Sequence, residues 1–139
     1  MATYKSFEDL PVRQSSRKLT VQVYRTTSKG KLKDDYGLKN QIQRSAVSVS
    51  SNIAEGFERG SKQESIQFLY VAKGSAGELR SQLFIAKDIG YMDNNDFKVL
   101  LPRGIPFGIN SATNVSKQIS GFIEYLKTAE FRGQKFKIQ

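Results

Sequence analysis

Between Leu38 and Phe57 the apolar residues Leu38, Ile42, Ala46, Val49, Ile53 and Phe57 recur at spacings of four, four, three, four and four. An α-helix returns side chains to one face at that period, whereas a strand alternates them every second residue. A helix with one apolar stripe is marginal alone in water and must lay that stripe on another element. The chain therefore needs partner helices, and the rest of the sequence supplies them.

A first helix is expected over 9–28, with Val12, Leu19 and Val23 on one side and Ser16 in register, and with Gln14, Lys18, Gln22 and Arg25 opposite. Asp9 ahead of Leu10-Pro11 reads as its N-cap. "SKGKLKDD" then breaks the pattern, and Asp34 or Asp35 can cap the helix that carries the 38–57 stripe. At its far end Gly60 suits a left-handed closing position, Arg59 suits the negative helix end, and Ser61 with Glu64 forms a capping box for a third helix. There Phe68, Ala72, Ser75, Leu79, Leu83 and Ala86 form a stripe flanked by Ile66, Leu69, Ala76 and Ile85, and Gly90 stops it. The run Gly74-Ser75-Ala76-Gly77 costs helix propensity, which close approach of a neighbouring helix would offset. "DNNDFKVLL" reads as a cap and a short helix. Pro102, Gly104, Pro106 and Gly108 make a continuous helix unfavourable, and Val115, Ile119, Phe122 and Leu126 restore the stripe over about 113–129. The expected fold is all-α: an antiparallel up-and-down four-helix bundle whose fourth helix is interrupted around residues 101–112. Residues 1–131 form one domain and 132–139 a loose basic tail.

Composition narrows the chemistry. With no Cys and no His, thiolate nucleophiles, imidazole bases, disulfides and the usual transition-metal sites are excluded. No apolar run serves as a signal segment or approaches the roughly 18 residues of a membrane span, so a cytoplasmic protein without a membrane role is expected. A basic first helix could rest on anionic lipid, but its apolar side is needed for the core. Lys and Arg number 22 against 13 Asp and Glu. The excess gathers early: Lys5, Arg13, Arg17, Lys18, Arg25, Lys29, Lys31 and Lys33 stand against Glu8 and Asp9 in residues 1–33. Such a cluster attracts a polyanion, because each phosphate contact releases counterions; it is equally compatible with simple solubility.

"SSNIAEGFERGS", residues 50–61, sets Glu55 among apolar neighbours. At about 100° per residue, Phe57, Val49, Ala46 and Ile42 fall within roughly 40° of Ile53, whereas Glu55 lies about 200° away. Arg44, Ser48, Ser51, Asn52 and Arg59 share that far side, between roughly 160° and 260°. Glu55 is thus not a core carboxylate. The stripe is either a solvated face or, since its residues are short where exposed helices favour Lys, Glu and Gln, a subunit interface with Glu55 paired to a cation of a neighbour. A hard-metal site from Glu55, Glu58, Glu64 and Glu78 lacks paired Glu-x-x-His elements, and the cap already accounts for Glu64. Gly74-x-x-Gly77 lies inside a helical stripe, so packing outweighs a phosphate-clamping loop. No catalytic residue, metal ligand or cofactor is expected.

These residues resemble a known family. "FEDLPVRQSSRKL", the stretch from Tyr36 to Tyr91 and "ISGFIEYLK" are similar to the bacterial four-helix-bundle proteins encoded in intervening sequences of 23S ribosomal RNA genes. Accessory proteins of diversity-generating retroelements belong to the same superfamily. The resemblance covers roughly residues 6–93 and 115–128, and Asn52-Ile53-Ala54-Glu55-Gly56 is its most specific motif. It implies a cytoplasmic, non-enzymatic bundle that assembles into homo-oligomeric rings, often pentamers. For retroelement members it also implies a basic surface that binds nucleic acid and a reverse transcriptase. Arg13 stands where the family commonly has an aromatic residue, Ser51 where Pro is common, and residues 101–114 where relatives run as an uninterrupted helix.

Two functions stay open. One is an accessory factor binding RNA or DNA through Arg13, Arg17, Lys18, Arg25, Lys29, Lys31 and Lys33, and the other is a homo-oligomeric interaction scaffold whose charge is incidental.

Overall fold

Pro11 opens the first helix, where its fixed φ suits the start and its missing N–H leaves no bond unmade. The computed structural model describes residues 10–100 and 111–128. In order the elements are α1 (Pro11–Thr27), α2 (Gly30–Asp34), α3 (Tyr36–Glu58), α4 (Lys62–Asp88), α5 (Asn94–Leu100) and α6 (Ala112–Thr128), with no strand among the described residues. The four long helices are those expected from periodicity. The interruption expected around 101–112 lies outside the described residues apart from Ser111 and Ala112, as does the tail 132–139.

Most helix ends follow local side-chain chemistry. Asp35 Oδ1 accepts the Leu38 amide at 3.0 Å, Ser61 Oγ accepts the Glu64 amide at 3.2 Å, and Asp93 Oδ1 accepts the Asp96 amide at 2.8 Å. Ser111 Oγ does the same for Asn114 at 3.1 Å. Gly90, at φ +83°, closes α4: the Tyr91 amide donates to the Ala86 carbonyl at 2.8 Å and the Gly90 amide to that of Lys87 at 3.0 Å. Three ends depart from expectation. The α1 N-cap is Leu10, which has no side-chain acceptor, and Asp9 lies outside the described residues. Gly60 is not left-handed, because the chain already leaves α3 extended at Arg59 (φ −69°, ψ 149°). Besides Gly90, the other left-handed glycine is Gly30, φ +64°, which turns the chain out of α1 and lets "GKLKD" form α2.

Neighbouring helices run antiparallel. Ser16 Oγ lies 3.1 Å from Ser50 Oγ while Gln43 Nε2 donates to Thr27 Oγ1 at 2.9 Å, so α1 and α3 pass in opposite directions. Ser65 Oγ donates to the Gly56 carbonyl at 2.6 Å and Ser48 Oγ lies 2.9 Å from Ser75 Oγ, which sets α4 back along α3. Lys127, in the last turn of α6, donates to the Tyr70 hydroxyl at 2.6 Å, so α6 returns along α4. That hydrogen bond is the largest cause raising the Lys127 pKa; desolvation opposes it, and the charge of Glu124 assists to a lesser degree. The contact is therefore in place through neutral pH and is lost only as pH rises through the raised value. Gln118 Nε2 donates to Ser15 Oγ at 3.2 Å and joins α6 to α1.

Inside lie Leu19, Val23, Ile42, Val49, Ile53, Leu69, Leu79, Leu83, Ile119, Ile123 and Leu126, all buried. The flanking position Ile85 is not among them: it is exposed on the outer side of α4. The glycine run of α4 also differs from expectation, since a Cβ at Gly74 would meet nothing within 4 Å and one at Gly77 only the Arg80 side chain. Close approach occurs elsewhere, at Gly56, where a Cβ would stand 3.1 Å from the Ser65 carbonyl oxygen and 3.2 Å from Phe68 Cβ. Those neighbours are backbone and the root of a side chain, so they cannot swing aside. Gly56→Val is expected to destabilise the fold by about 2 kcal/mol through overpacking. Gly121→Ala, on the open side of α6, should stabilise by up to about 1 kcal/mol. Thermal unfolding of the two variants checks this contrast.

Candidate nucleic-acid interface

α1 contains no Asp or Glu and α2 carries only Asp34, exposed beside Lys33, so the surface of the two helices depends on which of their cations face water. With Leu19 set at zero, Tyr24, Arg17, Val21, Gln14, Arg25 and Lys18 span about 140° to 260° around α1. Ser16 and Thr20, nearer α3, bond to Ser50 and to the Ala46 carbonyl (3.2 Å). Ser15 faces α6. Two flanks of α1 are thus taken by packing, and the third carries Arg17, Lys18 and Arg25, all exposed. None of the three forms an ion pair with a described residue.

α2 adds two exposed cations because of one apolar residue. Leu32 is fully buried, and this turns its neighbours Lys31 and Lys33 outward. Lys29, just before α2, holds Asp96 of α5 at 3.0 Å and is partly neutralised. Arg13 departs from the rest: it is half-buried, with Nε and Nη1 shielded from solvent. It sits beside the α3 flank, about 120° from Leu19, so it is a poor phosphate ligand. The structure leaves Arg17, Lys18, Arg25, Lys31 and Lys33 exposed and sets Arg13 apart. Tyr24 and Val21, exposed between these cations, were no part of the charge pattern, although their helical angles place them there.

The second set of site residues divides. Arg44, Ser51 and Glu55 are exposed, while Ser48, Asn52 and Arg59 are half-buried toward α4. Ser48 meets Ser75, and Asn52 Nδ2 donates to the Ser48 carbonyl at 2.8 Å and to its Oγ at 3.1 Å. Glu55 does face outward, but the cation beside it belongs to its own helix: Arg59 Nη2 lies 3.1 Å from Glu55 Oε1, one turn away. Arg59 also reaches Glu64 at 3.7 Å and covers the Phe68 ring at 4.8 Å. On α4, next to this face, Val71, Ile85 and Ile89 are exposed. Among the described residues no three carboxylates lie close enough to hold a metal ion, and no helix is long and apolar enough to cross a membrane.

The sequence pattern of the 23S rRNA-intervening sequence protein family matches residues 8–104. A crystal structure of a protein of unknown function from the S23 ribosomal protein family of Bacteroides thetaiotaomicron VPI-5482 has a similar fold. The two agree at a TM-score of 0.63 and 19% identity, over 85% of this chain and 99% of that one. Comparison with curated proteins gives no match.

Two substitutions separate what builds this surface from what only decorates it. Leu32→Ala removes the buried anchor of α2 and is expected to cost about 2–4 kcal/mol. Glu55→Gln breaks an exposed pair and should cost less than about 1 kcal/mol. Denaturant titration of both variants measures the difference.

Proposed function

The chain belongs to the 23S rRNA-intervening sequence protein family, and within it we propose a non-enzymatic, cytoplasmic, homo-oligomeric bundle that binds RNA or DNA as an accessory factor. The observation that supports binding most is the exposed set Arg17, Lys18 and Arg25 on α1 with Lys31 and Lys33 on α2, none of them in an ion pair with a described residue. Five exposed cations, with no carboxylate on α1 and only Asp34 on α2, suit sequence-independent phosphate contact. A reverse transcriptase is the protein partner if the chain serves a retroelement.

The assembly half of the proposal rests on the opposite side of α3. Val71, Ile85 and Ile89 are exposed on α4 with Glu78 between them, open space surrounds Gly74, and Arg44, Ser51 and Glu55 are exposed on α3. Such a patch suits contact with a different patch on another copy, and repeated head-to-tail contact closes into a ring, a pentamer being one size. A scaffold with no nucleic-acid role uses the same patch and leaves the exposed cations idle.

Fluorescence anisotropy against a structured RNA and a duplex DNA at several salt concentrations separates the two. Affinity for duplex DNA should fall with salt by a log–log slope of about 0.9 per phosphate neutralised. Arg17→Glu combined with Lys18→Glu should weaken binding and flatten that slope at unchanged helicity. No binding at low salt, or affinity indifferent to salt, leaves the scaffold. Light scattering should find a species larger than the single chain; a monomer at every concentration removes the ring.

A further inference from the structure

The basic strip holds an aromatic ring with nothing to do inside the fold. Tyr24 is 44% exposed in the last turns of α1, and its side chain makes no hydrogen bond, ring stack or cation contact with a described residue. Its backbone is nonetheless held firmly: Ser28 Oγ donates to the Tyr24 carbonyl at 2.5 Å and Thr27 Oγ1 at 3.3 Å. Val21, one turn earlier, is 45% exposed. Together with Thr20, Arg25, Ser28 and Gln43 these two residues line a shallow groove between α1 and α3. Its floor is apolar, and its rim carries one guanidinium, two hydroxyls and an amide but no carboxylate. Gln43 Nε2 donates to the buried Thr27 Oγ1, which ties the amide to α1.

Phosphate binding explains the cations but not a half-exposed ring among them. A flat apolar surface bordered by positive charge fits a planar ring joined to phosphates, which is an unpaired nucleobase. A duplex hides its base faces, so only a single strand can present one. We propose that this groove is a base-stacking site for single-stranded nucleic acid. Tyr24 stacks the base, Val21 and Thr20 contact its edge, and Arg25 and Arg17 take the flanking phosphates. The chain's net charge of +9 and the cationic rim disfavour a second copy as the occupant. The inference rests on the nucleic-acid reading above and adds the class of strand.

The chain has no Trp, so Tyr24→Trp places a sole indole emitter in the groove and keeps a stacking ring. An unstructured oligo-dT or oligo-U and a duplex of equal length are titrated at low salt against this variant, Tyr24→Ala and the parent chain. The single strand should quench the indole emission and the duplex should not. Tyr24→Ala should lose about tenfold affinity for the single strand and stay within about twofold for the duplex. If the duplex binds and Tyr24→Ala changes nothing, or if emission is indifferent to the single strand, the stacking site is wrong while the phosphate reading stands. If neither nucleic acid binds, both fall. If Tyr24→Ala alters the particle size in light scattering and leaves affinity intact, the groove is a subunit contact and the proposal is overturned. Circular dichroism confirms that both variants are folded.

Discussion

Where α3 passes α4, the absence of a side chain at Gly56 lets the Ser65 backbone and Phe68 Cβ approach within 3.1–3.2 Å of where a Cβ would stand. The Ser65 hydroxyl bonds the Gly56 carbonyl across the gap at 2.6 Å. From that point the two longest helices run back to back, held again near their midpoints by Ser48 and Ser75. They form the platform on which the others lie: α1 packs on α3 through Ser16 and Thr20, and α6 on α4. Once α3 and α6 have each taken a flank of α1, only its third flank is left to water. The basic strip is therefore a consequence of which sides the packing consumes, not of charge alone.

Apolar burial supplies most of the energy, at about 1.5–3 kcal/mol for each fully buried Leu, Ile or Val. An interhelical hydroxyl contact adds only about 1 kcal/mol. The serines nevertheless set geometry, because a hydroxyl bonded across a seam fixes spacing and register where an aliphatic contact tolerates sliding. Exposed pairs such as Glu55–Arg59 and Lys29–Asp96 contribute little to stability. Their effect is electrostatic: Lys29 loses part of its charge to Asp96, while Arg17, Lys18 and Arg25 keep theirs.

Long-range periodicity was the legible part of the fold. The stripe from Leu38 to Phe57 and the caps at Asp35, Ser61 and Asp93 act locally, within one helix turn, so residue order alone determines them. Gly56 could not be recognised as the tight contact, nor Gly74 as open, because both depend on which side of a helix meets a neighbour. Gly60 was expected to be left-handed and is not, whereas Gly30 is, for a related reason: whether a glycine must be left-handed depends on the direction the chain takes next. At the candidate site the cations were legible and their availability was not. Arg13 carries the same charge as Arg17 but turns about 40° toward α3, which buries part of its guanidinium. Tyr24 stayed hidden in a search for charge, since a lone tyrosine on a helix signals a site only when its neighbours and its exposure are known.

The central claim is that polyanion contact is confined to the flank of α1 and α2 that packing leaves free. Lysine-acetylation footprinting by mass spectrometry, with and without saturating nucleic acid, tests it directly. The account predicts protection of Lys18, Lys31 and Lys33, with Lys73 and Lys87 of α4 labelled as in the free protein. Protection spread evenly over all these lysines, or concentrated on α4, would contradict it.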